Sequence, residues 1–600
     1  MKKAMSQKDP RAVSLFIPRS HLTTQANKTG TWRFLRPRYD EKTAPCGAAC
    51  PAGEDISRIQ MLTSQGLFTE AWETVLVENP FPGVCGRICR HPCEAVCNRR
   101  RFDEPIAISI IERFLADTAS RYDLKPHLDR SPRKKERIAV AGAGPSGLAA
   151  AYFLALLGYG CDVYEAMPEP GGVLRWGVPS YRLPLRALRD EIARIEELGA
   201  RIHCENPFGE KSLAPASSAH DAVFIACGLE RRRSLMVPGE DLPGVEDGVE
   251  LLRKVAAGSA PALEGFVAVI GGGYAAIEVA RCVLRLGAKP FLVYRGRRED
   301  MPASKAGITM AVEEGVEVCD SMTPVLIEAE AGEYILTLRE ARAAGENANG
   351  SAPAGPAEAK TDKIRVSRIF KAGDFEAAEQ WMLPPETAAL RLNNSVLDFK
   401  EGRPIVFGGD LVNTSGSVAR AAASGKEAAI ALDLFFREGQ DAIRPGLKRC
   451  AVGGGRALSM EAHMNGPRSR RSSKVVRYGE INADYFHFSP GLTRPRLLKA
   501  ERSRSFAEID LKISANLAIR ESERCFNCGI CNRCDNCRLF CPDLAVVRDQ
   551  NPLGRRIDYD YCKGCGVCVV ECPRNAMTLA EEQCPESIGG GTGPERGTGP

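Results

Sequence analysis

Apolar residues in this chain come in short blocks punctuated by glycine. In RIAVAGAGPSGLAAAYFLALLGYGCDVYEA, the run IAVA predicts a buried strand, AGAGPSG a tight turn, LAAAYFLAL a helix, and CDVYEA a second strand. FVAVIGGGYAAIEVARCVLRLGAKPFLVYRGRRED repeats that order. A third block, IVFGGDLVNTSGSVARAAASGKEAA, predicts a short strand ending at Asp410 and a helix starting near Ser417. Strand–turn–helix–strand units imply parallel sheets covered by helices. The longest apolar runs, such as LAAAYFLALLGYG, are too short to span a bilayer. MKKAMSQKDPRAVSLF at the start has no sustained apolar stretch, so a secretory signal is not expected, and the expected location is the cytoplasm.

The 600 residues exceed what one core supports, so several domains are expected. A net charge of +5 gives no reason to expect nucleic acid or insertion in a membrane. Cysteine changes the picture: there are 23, most of them in two groups, Cys46–Cys97 and Cys525–Cys572. Such clustering in a reducing compartment points to metal or redox chemistry rather than disulfides.

CNRCDNCRLFCP and CKGCGVCVVECP both read C-x2-C-x2-C-x3-C-P, the spacing of a two-cluster ferredoxin. Three cysteines of each run hold one cube of iron and sulfide, and the fourth crosses to the other cube. This assigns Cys531, Cys534, Cys537 and Cys572 to one [4Fe–4S] cluster, and Cys562, Cys565, Cys568 and Cys541 to a second. Zinc is the competing ligand for four cysteines. A competing register would use Cys525, Cys528 and Cys531.

Gly142, Gly144 and Gly147, with Pro145 and Ser146 between them, form a G-x-G-x-x-G turn after the first strand. Such glycines let a pyrophosphate approach a helix N-terminus. Glu165, ending the second strand, is placed to accept from a ribose hydroxyl. In the second unit Gly271, Gly272 and Gly273 precede Ala275 and Ala276, with Ala276 in the third-glycine place. Arg295, Arg297 and Arg298 stand where an acid would select NAD, which favours NADP. Two fingerprints in series suggest one flavin and one nicotinamide domain.

PCGAACPAGEDI, NPFPGVCGRICRHPCEAVCNR, AGAGPSGLAAA, EPGGVLRWGVPSYRLP, VIGGGYAAIEVAR, VYRGRREDMPA and FGGDLVNTSGSVARAAASGKEAA together resemble the small (beta) subunit of NADPH-dependent glutamate synthase and its relatives. The resemblance covers about residues 40–440. The segment at about 520–580 resembles the ferredoxin-like delta subunit of 2-oxoacid:ferredoxin oxidoreductases. It implies a multi-domain α/β protein: an N-terminal α-helical Fe–S domain, two Rossmann-like dinucleotide-binding domains with the NAD(P) domain inserted in the FAD domain, and a C-terminal ferredoxin-like α+β domain. The expected boundaries are an extension 1–40, helical domain 41–134, FAD domain 135–260 and 396–445, NAD(P) domain 261–395, linker 446–515, ferredoxin domain 516–582 and disordered tail 583–600. The segment around 344–363 reads as a flexible insertion, and the basic stretch running to Lys474 as a solvated linker.

The resemblance further implies FAD at the first fingerprint, with Gly171, Gly172, Arg175, Gly409, Asp410 and Val418 near the flavin, and NAD(P)H at the second. It places Cys50, Cys89, Cys93 and Cys97 on one N-terminal cluster. Family members carry a further C-x2-C upstream of Cys46 that this chain lacks. Cys46 and Cys85 are then left over, either as buried small side chains or on a second site completed by a group such as Glu112. The implied activity is hydride transfer from NAD(P)H to FAD, with no catalytic side chain, then single-electron transfer through clusters to a partner subunit or ferredoxin, or the reverse. A nucleotide-binding sensor or scaffold subunit without turnover is the alternative.

Overall fold

The computed structural model describes residues 28–213, 220–340, 361–413, 416–468, 470–471, 473–551 and 553–582. After strand β1 (Leu35–Tyr39) the chain folds into a helical domain of α1 (Pro45–Ala49), α2 (Ile56–Ser64), α3 (Phe68–Leu76), α4 (Pro82–Ile88) and α5 (Ile108–Arg121). Trp72, Leu76, Ile111 and Leu115 close one side of its core. The cysteines lie on the other side.

The first dinucleotide unit is β2 (Arg137–Ala141), α6 (Pro145–Leu156), β3 (Gly160–Tyr164), α7 (Leu185–Glu197), β4 (Arg201–His203) and β5 (Ala222–Ile225). The chain then leaves for a second unit: β6 (Val245–Asp247), α8 (Gly248–Ala256), β7 (Phe266–Ile270), α9 (Tyr274–Arg285), β8 (Lys289–Val293) and β9 (Glu317–Cys319). An antiparallel meander follows, β10 (Met322–Glu330), β11 (Glu333–Glu340) and β12 (Thr361–Val366), and β13 (Arg368–Lys371) completes the unit. The second sheet has the order β9-β8-β7-β13-β6, all parallel. The chain returns through β14 (Leu390–Arg391), β15 (Val396–Lys400) and β16 (Arg403–Phe407), which extend the first sheet to the order β14-β15-β16-β5-β2-β3-β4. One nucleotide domain is thus inserted in the other. The two have separate cores, one around Val140, Phe153 and Phe224, the other around Val269, Val279 and Phe370.

Helix α10 (Val418–Glu438) packs on α6. Contact is close because Gly425 has no side chain: a Cβ there would stand 2.3 Å from the Ser146 carbonyl oxygen and 2.6 Å from the Ala150 nitrogen. Next along α10, buried Lys426 donates to Glu78 (2.5 Å) and to the carbonyl oxygens of Ala52 (2.5 Å) and Leu458 (3.1 Å). A buried ammonium persists only with such full pairing. It ties the flavin-side helix to the helical domain.

After α11 (Ala515–Glu523), the cysteine-rich end folds as α12 (Asn536–Leu539), β17 (Val546–Arg548), β18 (Arg555–Ile557), α13 (Val567–Val570) and β19 (Met577–Glu581). β17 pairs with β18, and β19 pairs antiparallel with β1. The expected N-terminal extension therefore supplies a strand to the C-terminal domain. Arg33 grips Glu582 through two 2.7 Å hydrogen bonds, and Lys42 donates to the carbonyl oxygens of Asn575 (2.7 Å) and Met577 (3.0 Å).

Three expected boundaries move. β6 belongs to the second sheet and α8 packs on α9, so the crossing at 260 lies too late. β14 pairs within the first sheet, so the return begins before 396. The segment 446–515 is packed rather than free. Arg468 pairs with Asp55 (2.5 Å) and Glu461 (3.0 Å), Arg470 with Asp40 (3.1 Å), and Ile509 and Phe506 join the core of the inserted domain. Arg468 and Arg470 are ion-paired because Asp55 and Asp40 face them. The insertion expected around 344–363 falls outside the described residues up to 360, after which β12 begins, and so does the expected tail from 583. No described helix is long and apolar enough to cross a membrane.

Candidate redox site

At the first fingerprint, Gly142 adopts φ 99° and a Cβ on Gly147 would stand 1.9 Å from the Gly142 carbonyl oxygen, so both positions require glycine. Gly144 instead faces open space at the N-terminus of α6. Beside it the buried Ser146 hydroxyl has no partner. An unfilled donor, an open glycine and a helix N-terminus fit a bound pyrophosphate. Glu165, ending β3, accepts from the backbone N–H groups of Ala143 and Met167, both at 2.9 Å. Gly171 donates to the Ala143 carbonyl (2.8 Å), and Gly172 lies so close to Gly144 that its Cβ would stand 2.8 Å from the Gly144 Cα. Gly409 (φ 67°) meets the same turn, where a Cβ would come within 3.1 Å of the Ser146 Cβ. Asp410 follows it, and Val418 opens α10. Burial raises the Asp410 carboxyl, against the Gly416 N–H and the Arg90 charge. Arg175 turns to Glu169 (2.8 Å) and to the Ala256 carbonyl at the end of α8 (3.1 Å), joining the two dinucleotide units.

The second fingerprint repeats this geometry. Gly271 has φ 148°, Gly272 lies under the Tyr294 ring, Gly273 faces open space, and Ala276 is fully buried next to Gly271, while Ala275 is half-buried. Arg295, Arg297 and Arg298 are exposed beyond the end of β8. Arg297 has a weak pairing with Glu299 at 3.7 Å, and the Arg298 backbone N–H donates to Asp320 (3.2 Å). Their guanidinium groups are available to a phosphate.

The cysteines of the C-terminal domain separate into two sets. Cys531 is flanked by Cys537, Cys572 and Cys534, and Cys568 by Cys562, Cys541 and Cys565, with Cys537 between the sets. The Tyr39 hydroxyl meets the Cys537 sulfur at 3.4 Å. Backbone N–H groups of Ala545 and Ala576 donate to the sulfurs of Cys541 and Cys572, each at 3.3 Å. Burial pushes the Cys531 thiol up to about 11 and the Cys568 thiol up to about 12.

In the helical domain, Cys50, Cys89 and Cys93 face one another, with Cys85, Glu54 and Glu112 beside them. Asn79 donates to Glu54 (2.8 Å) and Glu112 (3.1 Å), and burial raises both carboxyls. Cys97 does not join this trio. It lies with Cys46, and with Cys525 and Cys528 from the far end of the chain. The expected quartet of Cys50, Cys89, Cys93 and Cys97 is therefore divided: Cys50, Cys89 and Cys93 stay together, and Cys97, past the last turn, lies with Cys46 instead. The C-x2-C pair that the sequence left unassigned meets Cys46 and Cys97. Sequence spacing could not reveal this, because more than 400 residues intervene.

Among the described residues, no three His, Cys, Asp or Glu are gathered closely enough for a single metal ion. A cubane binds its thiolates at separate corners and so spreads them wider. The donor sets, cysteine-rich and furnished with N–H···S contacts, fit such a group.

Comparison with known proteins finds four family models along the chain. The family described as dihydropyrimidine dehydrogenase domain II, 4Fe-4S cluster, matches residues 39–124. The NAD(P)-binding Rossmann-like domain matches 140–205, pyridine nucleotide-disulphide oxidoreductase 186–342, and the 4Fe-4S binding domain 555–578. The NADPH-Fe(3+) oxidoreductase subunit beta of Geobacter sulfurreducens is 35% identical over 53% of this chain; the chain spans about half of that protein's length, 48%. The NADP(+)-dependent formate dehydrogenase subunit beta of Moorella thermoacetica is 31% identical over 81% of this chain and 70% of that one. The NAD-dependent dihydropyrimidine dehydrogenase subunit PreT homolog of Salmonella typhi is 30% identical over 66% of this chain and 92% of that one. With both nucleotide cradles and the cysteine sets in place, this chain belongs to the glutamate synthase small-subunit-like family of FAD- and NAD(P)-dependent iron–sulfur oxidoreductases.

Proposed function

We propose that this chain exchanges electrons between NADPH and an iron–sulfur partner protein. One observation carries the reading. Arg90, next to Cys89, has its guanidinium 4.4 Å from the ring centroid of Tyr274, the first residue of the second fingerprint's helix. The same group lies 3.7 Å from where a Gly416 Cβ would stand and influences Asp410 at the first cradle. A cysteine set and both nucleotide cradles therefore converge on one side chain.

A flavin bound here supplies two-electron uptake and one-electron release, and cubanes supply single-electron carriage. The chain's own contribution is placement. Gly144, Ser146 and Gly172 hold the flavin pyrophosphate, while Glu165 orders the glycine turn and is positioned for a ribose. Arg295, Arg297 and Arg298 hold the 2′-phosphate. No side chain needs to abstract a proton for hydride transfer, since alignment of donor and acceptor does the work. Cys50, Cys89 and Cys93 hold one cluster, with Cys85 and Glu112 the groups placed for its fourth iron. The two C-terminal quartets hold two more.

Electrons leave, or enter, at the ferredoxin end. Cys565 is the exposed cysteine of its set, and Leu539, Phe540, Leu544 and Val570 of the same domain are exposed apolar side chains. Exposed apolar side chains beside the cluster-bearing loops suit a transient protein partner. The test is anaerobic titration of the FAD-loaded protein with NADPH. Bleaching of the flavin and reduction of an artificial one-electron acceptor are expected; binding of both nucleotides without turnover would refute the proposal. Replacing Arg295, Arg297 and Arg298 together by alanine should raise KM for NADPH at least ~10-fold with kcat unchanged, as expected for lost charge-assisted phosphate contacts.

A further inference from the structure

Within the two cysteine-rich groups, Cys46–Cys97 and Cys525–Cys572, four cysteines remain outside the three clusters just described: Cys46, Cys97, Cys525 and Cys528. The structure assigns them to a fourth [4Fe–4S] site, built from both ends of the chain and joining the helical domain to the ferredoxin domain. This deepens the electron-transfer reading and rests on it.

The four come together in one small core. Cys46 and Cys528 are buried in it, Cys97 and Cys525 pack against it, and Ile106, Val476, Phe102, Phe486 and Phe526 surround them. No disulfide links any of them. Four neutral thiols could fill such a space as small apolar groups, but the polar contacts argue otherwise. The Cys525 sulfur accepts from the Asn527 N–H (3.3 Å), and the Cys528 sulfur from the Asn98 side-chain amide (3.4 Å). Backbone N–H groups of Arg99, Arg100 and Ile106 face Cys97, and that of Gly47 faces Cys46. A thiol is a weak acceptor, whereas a ligating thiolate rewards every donor aimed at it.

The loop carrying the pair has a defined shape. Asn527, between the two cysteines, adopts φ 48°, in the left-handed region that asparagine tolerates better than most residues. Other segments enforce it. The Asn527 side chain donates to the Ser57 carbonyl (3.0 Å), Arg574 to the Phe526 carbonyl (2.6 Å), and Arg99 to the Arg524 carbonyl (2.6 Å). Binding of the cube exchanges four S–H bonds for four Fe–S bonds and releases four protons. No electron is gained or lost when a preformed [4Fe–4S]2+ unit is taken up, and the site then carries two net negative charges. Arg524 lies near Cys97, and Arg574 near Cys525 and Cys528, to offset them. Cys528 and Cys531 are three positions apart in one loop but serve adjacent sites, so the fourth cube is the link between the helical and ferredoxin clusters.

Iron, acid-labile sulfide and zinc are measured on the full chain after anaerobic reconstitution to constant content, with EPR-monitored redox titration. Four clusters predict about sixteen irons and sixteen sulfides per chain, and four resolvable reduced-cluster components. About twelve irons, with or without one zinc, would overturn the assignment. Two double variants, C46S/C97S and C525S/C528S, should each lose about four irons, and the quadruple variant should lose no more than either. Unchanged iron in either double variant, or losses that add, would also overturn it. FAD content monitors folding of each variant; where a variant loses FAD, the wild-type count and EPR components decide. The iron count is independent of the flavin titration, so sixteen irons without NADPH turnover would refute the function and leave the site standing.

Discussion

Glu191 illustrates how one side chain couples burial to the cysteine sites. It sits on α7, but its carboxylate receives the backbone N–H groups of Gly83 (2.5 Å) and Val84 (3.3 Å) at the start of α4, the helix that carries Cys85 and leads to Cys89. Burial pushes its pKa up to about 7, against those N–H groups and the Arg194 and Arg87 charges. The folded state therefore keeps this proton at a pH where the unfolded chain, near 4.3, has lost it. Between these values the native protein binds more protons, so stability falls as pH rises from about 5 to about 7 and levels off above. Glu191→Gln removes the ionisation. Its stability relative to wild type should increase from pH 5 to pH 8 by about 1–3 kcal/mol, read from urea midpoints at constant cofactor content. Parallel pH profiles for the two proteins would show that Glu191 is ionised throughout.

At the level of elements, the close contact of α6 with α10 constrains the flavin cradle, since it places Gly409 and Val418 beside the first glycine turn. Gly425→Val must separate the two helices, because the obstacles are backbone atoms that cannot rotate away. A cost of at least about 1–3 kcal/mol is expected, with FAD retention lost before the iron content of the ferredoxin domain. Iron lost first, with FAD retained, would place the strain elsewhere. The glycine turns and their helices were legible in the sequence because each is encoded within a few residues: the strand, the turn and the helix N-terminus are consecutive. The spacing of C-x2-C-x2-C-x3-C-P was legible for the same reason. What escaped is non-local. Nothing local in LRPRY marks a strand whose partner is MTLAE, and β6 carries too short an apolar run to disclose its sheet. The structure sets Cys97 apart from Cys85, Cys89 and Cys93, and regular C-x3-C spacing gives no sign of where along the run the chain turns to another site.

For the whole molecule, the ferredoxin domain is a built-in part rather than a tethered one. β1 crosses from the N-terminal side to pair with β19, Lys42 and Arg99 reach carbonyls of the C-terminal segment, and residues 502–509 pack on the inserted nucleotide domain. Arg502 pairs with Glu313 on that domain, and its carbonyl receives Arg285. These contacts join regions far apart in sequence, so opening one end exposes apolar surface on the other. The helical and ferredoxin domains should therefore unfold together. Helical circular dichroism and cluster absorbance, followed anaerobically during heating, should be lost in coincident transitions at wild-type sequence. Deleting residues 1–39 removes β1, the Arg33–Glu582 pair and the Tyr39 contact to Cys537, while leaving both nucleotide cores intact. In that variant cluster bleaching should precede the main helical transition by several degrees, the displacement expected for about 1–2 kcal/mol in a domain of this size. Two separate transitions in the undeleted protein would mean that the ferredoxin end moves as an independent body. Electron transfer from the flavin would then have to wait for that end to approach, and would slow with solvent viscosity instead of proceeding at a fixed first-order rate.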